Sequence, residues 1–93
     1  MKNKELKIVR KKLDKLDLKI LSLIKKRTSL VNQVIKIKKY KSQIVDKKRI
    51  KEVLKKIRLN STKKKIDPRI TQKIWKSMIA SYIEYERRKF KEK

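Results

Sequence analysis

Apolar residues recur between positions 9 and 37 at alternating intervals of four and three, which predicts one long amphipathic helix. The seam of this helix consists of Val9, Leu13, Leu16, Ile20, Leu23, Arg27, Leu30, Val34 and Ile37. Arg27 breaks the pattern, because it places a guanidinium where an apolar side chain is expected. Burying that charge is costly without an anionic partner, so Arg27 is a candidate for binding an anion.

Two shorter amphipathic segments follow. Asp46 is a plausible N-cap for the second, and Asp67 with Pro68 gives a good start signal for the third. The chain contains no glycine, and Pro68 is its single proline. We therefore predict an all-α fold in one domain over residues 1–93, with helices over about residues 3–40, 46–60 and 67–90.

The length of the first helix favours a dimer. About 37 helical residues span roughly 55 Å, whereas a globule of this size has a diameter of about 30 Å. The apolar seam of a monomer would then be exposed over half its length. We predict an obligate, intertwined homodimer built around the long helices, and the alternative is a kinked or frayed helix in a three-helix monomer.

Composition excludes several kinds of chemistry. The absence of cysteine excludes disulfides, thiolate metal sites and a cysteine nucleophile, and the absence of histidine removes the usual base and metal ligand. No apolar run approaches the length of a membrane span, and the first residues lack a signal-peptide pattern. We therefore expect a cytoplasmic protein that needs no metal or cofactor.

The formal net charge of +24 has two interpretations. It is typical of a protein that binds nucleic acid or an anionic surface, and it is also produced by a lysine- and isoleucine-rich compositional bias. The lysines are scattered along every segment, and the few aromatic residues do not interleave with a basic stripe, which favours the bias. A basic helical nucleic-acid-binding protein stays the main alternative from another functional class, and non-specific polyanion binding is expected in either case.

Several charged residues lie where they can bind a small anion. Arg27 and Lys38 are 11 residues apart, so they share one face of the helix about 16 Å apart. Arg10 lies about 25 Å from Arg27 along the helix, and it can reach the same site only from the partner chain of an antiparallel dimer. On the third segment, Glu86 follows Tyr82 by one turn on an apolar face. A carboxyl group there either forms an ion pair or is kept protonated and donates a hydrogen bond.

The chain resembles the all-helical class of chorismate mutases over nearly its whole length. The resemblance rests on an ordered set of segments: VRKKLDKLD at 9–17, IKKRTSLV at 24–31, IKIK at 35–38, VDKKR at 45–49, IDP at 66–68 and IWKSMI at 74–79. Proteins of this class are intertwined helical dimers with two equivalent active sites. The resemblance therefore implies conversion of chorismate to prephenate, in the synthesis of phenylalanine and tyrosine by the shikimate pathway.

The resemblance also implies roles for individual residues. Arg27, with Arg10 from the partner chain, would hold the two substrate carboxylates, since a guanidinium pairs with a carboxylate through two hydrogen bonds. Lys38 would donate to the ether oxygen and to a carboxylate. Glu86 stands where many members have a glutamine that donates to the ether oxygen. The remaining positions that would line and order the site are Asp46, Arg49, Ile50 and Tyr82.

Besides Glu86, which differs from the glutamine expected, two of these positions depart from the usual mutase pattern. Ile50 stands where most mutases have a glutamate that binds the substrate hydroxyl, and Tyr82 stands where serine is common. Both departures are similar to a sister group, the isochorismate-pyruvate lyases of salicylate synthesis, whereas Asp46 favours the mutases. Mutase activity is our first prediction, and lyase activity in the same site is the alternative. The preference between chorismate and isochorismate, the protonation of Glu86 and regulation by aromatic amino acids stay open at this level.

Overall fold

A computed structural model describes residues 2–91 of the chain. These residues form helix α1 (Lys2–Ile37), a short 3-10 turn (Lys41–Gln43), helix α2 (Lys47–Lys63) and helix α3 (Pro68–Lys91). No strand occurs in this part of the chain, so the predicted all-α fold with three helices is confirmed. None of its helices is long and apolar enough to cross a membrane.

Helix α1 ends at Ile37, three residues before the predicted end near Tyr40. The amide of Lys38 still donates to the carbonyl of Val34 at 3.0 Å. The next two amides leave the helical pattern, because Lys39 N and Tyr40 N both donate to the side-chain oxygen of Gln43, at 2.8 and 2.9 Å. A side chain beyond the helix therefore sets its end, which periodicity alone does not indicate.

Helix α2 begins where the sequence predicts. Asp46 has extended backbone angles and its Oδ1 accepts the amide of Arg49 at 3.0 Å, which confirms it as the N-cap. The helix continues to Lys63, past the predicted end at Asn60. The hydroxyl of Ser61 donates to the carbonyl four residues earlier at 2.6 Å, so this residue lies inside the helix and does not cap it.

The turn after α2 closes with a left-handed residue. Lys65 has a φ of 59°, and the amide of Ile66 donates to the carbonyl of Ser61 at 2.8 Å while that of Lys65 donates to Thr62 at 3.1 Å. These two bonds form a Schellman motif, in which glycine usually takes the left-handed position. In this chain, which contains no glycine, a lysine takes that position.

Helices α2 and α3 pack against each other. Asp67 accepts the amide of Arg69 at 2.9 Å, which confirms the predicted start signal of α3. Between the helices, the hydroxyls of Ser61 and Thr71 are 2.7 Å apart, and Gln72 Nε2 donates to the carbonyl of Leu54 at 2.9 Å. These polar contacts fix the register of the two helices.

Two units make up the chain, Met1–Gln33 and Val34–Lys93. Within the described part of the first unit, the apolar side chains of α1 from Leu6 to Ile24 are exposed. The second unit contains the residues that are classed as buried: Ile35, Ile44, Ser61 and Glu86. The small core of the described chain therefore lies in the second unit.

Candidate active site

Lys38 and Glu86 form the charged centre of the second unit. Lys38 directly follows α1, and its Nζ lies 3.5 Å from Glu86 Oε1 on α3. The same ammonium lies 3.5 Å from the carbonyl oxygen of Ile44. The third helix and the segment after α1 thus bring together the two residues that the sequence predicted as catalytic.

The Lys38–Glu86 pair is largely removed from water. The two side chains are 19% and 10% exposed. The ion pair is one of the two interpretations that the sequence allowed for a carboxyl group on the apolar face of α3. A buried ion pair often contributes little net stability, because the cost of removing both charges from water offsets their attraction.

A surface pocket of about 510 Å³ lies beside Lys38. The residues that line it are Lys38, Ser42, Gln43, Val45, Asp46 and Lys47. This volume lies within the range of roughly 300–1,000 Å³ that is typical of small-molecule sites. The predicted residues Lys38 and Asp46 therefore share a concave surface of suitable size, with two ammonium groups and one carboxylate around it.

The first turn of α2 carries three of the predicted site residues. Asp46 caps the turn through its carboxylate, the side chain of Arg49 is exposed, and Ile50 is half-buried. The amide of Ile50 donates to the carbonyl of Asp46 at 3.0 Å. The capping bond therefore fixes Asp46 in the wall of the pocket.

Tyr82 is half-buried on α3, one turn before Glu86. Its ring meets that of Tyr85 edge to face, with ring centroids 6.3 Å apart. The ammonium of Lys89 lies 5.9 Å from the centroid of Tyr85. Both tyrosines precede the buried carboxyl group on α3, Tyr82 by one turn and Tyr85 by one residue.

The two predicted arginine clamps lie on α1 in the first unit. Arg10 is exposed and Arg27 is half-buried. Arg27 is thus less exposed than its seam neighbours Leu23 and Leu30. The roles of both residues stay predictions.

Three pocket residues between the end of α1 and the start of α2 were given no role by the sequence analysis. Ser42 and Gln43 lie in a segment without helical periodicity, and Lys47 is part of the VDKKR segment at 45–49 without being singled out there. In the sequence, the only indication of these residues is the short polar stretch that follows Lys38 and separates two amphipathic segments. Such a stretch indicates a turn without indicating which of its side chains face a site.

Comparison with protein families decides the class of the chain. A family model described as chorismate mutase type II matches residues 9–87. The chain belongs to this family. The chorismate mutase match contains all eight predicted site residues, from Arg10 to Glu86. Searches of curated proteins and of solved structures found no match.

Membership in the chorismate mutase family confirms the resemblance drawn from the sequence. It supports chorismate mutase activity, which is an isomerase reaction, with chorismate as the substrate. Neither isochorismate-pyruvate lyase activity nor nucleic-acid binding gains support from the comparison.

Proposed function

We propose that the chain rearranges chorismate to prephenate in a site that contains Lys38, Asp46 and Glu86. This proposal rests on the distance of 3.5 Å between Lys38 Nζ and Glu86 Oε1 beside a pocket, in a chain that belongs to the chorismate mutase family. The reaction is intramolecular, so the protein needs only to hold a compact conformer and to stabilise developing charge.

Lys38 has the chemistry that the breaking bond requires. As the ether C–O bond of chorismate breaks and the new C–C bond forms, negative charge grows on the ether oxygen. An ammonium in a site partly removed from water stabilises that charge more strongly than water does. We assign this role to Lys38 and propose that Glu86 donates a second hydrogen bond when its carboxyl group is protonated.

The arginines complete the proposed site. Arg27 and, from the partner chain, Arg10 would each hold a substrate carboxylate, since the planar guanidinium matches a carboxylate with two parallel hydrogen bonds. Asp46 and Arg49 would order the wall of the pocket, and Ile50 and Tyr82 would contact the ring. The net charge of +24 attracts a dicarboxylate substrate toward the protein.

The proposed site requires a homodimer. On α1, the seam residues from Val9 to Leu23 are each more than half exposed in the single chain: Val9, Leu13, Leu16, Ile20 and Leu23. A continuous apolar stripe of this length is typical of an interaction surface. We propose that a second copy of the chain covers it and supplies Arg10. A cytoplasmic location is part of the same proposal.

Replacement of Lys38 tests the assignment. We expect Lys38→Met to lower kcat for prephenate formation by about 100- to 1000-fold, because it removes one donor to the developing oxyanion. Lys39→Met is the matched control, because Lys39 is the exposed neighbour of Lys38 and its backbone bond to Gln43 does not need its side chain. Equal activity of the two variants would contradict the assignment of Lys38.

A further inference from the structure

Gln43 closes the turn in the segment between α1 and α2. Its side-chain oxygen accepts the amides of Lys39 and Tyr40, at 2.8 and 2.9 Å. Its backbone amide donates to the carbonyl of Tyr40 at 3.0 Å. The side chain and the backbone of one residue therefore both bond to the start of the turn.

These bonds replace helical bonds. In a continued helix, the amides of Lys39 and Tyr40 would donate to carbonyls four residues earlier. Because the side-chain oxygen of Gln43 accepts both amides, α1 stops at Ile37 and the chain turns at Lys38.

The turn orients the side chain of Lys38. The 3-10 turn closes with the amide of Ile44 donating to Lys41 at 3.1 Å, and Ile44 itself is 5% exposed. The carbonyl of this anchored residue lies 3.5 Å from Lys38 Nζ, and the same ammonium reaches Glu86 at 3.5 Å. The bonds of Gln43 thus fix the turn that lies between Lys38 and the carbonyl of Ile44.

We propose that Gln43 is a positioning residue for Lys38, acting through its side-chain oxygen. This inference rests on the proposed role of Lys38 in chorismate rearrangement. A displacement of a reacting group by about 1 Å can cost about 100-fold in rate, so loosening this turn affects catalysis through the position of Lys38.

Two substitutions test whether the acceptor oxygen of Gln43 is required, as distinct from the length of its side chain. Gln43→Met keeps the length and removes the acceptor, whereas Gln43→Glu keeps an acceptor oxygen. We expect Gln43→Met to lower kcat by about 10- to 100-fold with little change in KM, and Gln43→Glu to stay within about threefold of the unchanged protein. Lys41→Met is the matched control and should keep its activity, because Lys41 is exposed in the same turn, does not line the pocket, and accepts the amide of Ile44 through its backbone carbonyl.

A double-mutant cycle distinguishes positioning from a general loss of structure. In a Lys38→Met background, Gln43→Met should lower the residual kcat by less than about twofold, because the group that it positions is already gone. Independent effects of the two substitutions, full activity of Gln43→Met, or an equal loss in Gln43→Glu would each overturn the inference.

Amide hydrogen exchange provides a test that does not depend on turnover. The amides of Lys39 and Tyr40 should be protected in the unchanged protein and in Gln43→Glu, and should exchange faster in Gln43→Met. Inactivity of the unchanged protein toward chorismate would refute the proposed function and with it the catalytic part of this inference, while the exchange data would still decide the turn geometry. Equal exchange in all three proteins would overturn the role of Gln43.

Discussion

Lys38 and Glu86 illustrate how a single pair of side chains links the fold to the chemistry. Their charged atoms are 3.5 Å apart, and Glu86 is 8% exposed on a helix face that is otherwise apolar. Apolar side chains of similar size often stabilise such a position equally well or better. The proposed use of Glu86 in the site accounts for a carboxyl group at this position.

Glu86 gives a prediction at the residue scale. The proposed role of Glu86 is to donate a hydrogen bond to the ether oxygen, which an amide does without any change of ionisation. We therefore expect Glu86→Gln to keep or raise kcat/KM for chorismate, and Glu86→Leu, which has no donor, to lower it by about 100-fold. The measurement is kcat/KM for chorismate at one pH in the three proteins. Equal kcat/KM in Glu86→Leu and the unchanged protein would refute the proposed donor role of Glu86.

Lys65 gives the clearest prediction at the scale of one element. Its φ of 59° is unfavourable for a residue with a Cβ atom, and glycine adopts this conformation freely. We expect Lys65→Gly to raise the free energy of unfolding by about 0.5–1 kcal/mol. Urea denaturation at one fixed protein concentration measures this change, since the stability of a dimer depends on concentration.

Lys64 provides the control for that substitution. It has a φ of −87° and a ψ of 3°, which any residue adopts, so Lys64→Gly should destabilise the protein through the unfolded chain. Destabilisation by both substitutions would show that the left-handed turn does not limit stability.

Local signals in the sequence predicted how the elements begin better than how they end. Asp46 and Asp67 cap α2 and α3 as expected, because an N-cap acts on amides two or three residues away. The end of α1 depends on Gln43, and the end of α2 on a left-handed lysine that no glycine marks. The sequence showed Glu86 as a charge on an apolar face. It did not show the role of Gln43 in the turn, because the side-chain oxygen of Gln43 binds backbone amides that only the fold identifies.

At the scale of the whole molecule, the exposed seam of α1 predicts how the protein assembles. Leu16 lies on the seam and is 51% exposed, whereas Leu18 lies about 200° around the helix and is 64% exposed. We expect Leu16→Glu to disrupt the dimer and to abolish turnover, because it places a charge in the proposed contact and removes Arg10 of the partner chain from the site. Leu18→Glu should keep both properties.

Light scattering coupled to size-exclusion chromatography, with a turnover assay on the same fractions, measures both effects. A monomeric and fully active unchanged protein would contradict the proposal that two chains form each site. So would an equal effect of the two substitutions, because the seam would then have no special role.

The chemical identity of the product tests the central claim most directly. Chorismate and isochorismate are each incubated with the purified protein, and the products are identified. We predict prephenate from chorismate, as expected for a chorismate mutase. The absence of prephenate would contradict the account, and release of pyruvate and salicylate from isochorismate instead would assign the site, with Ile50 and Tyr82, to lyase chemistry.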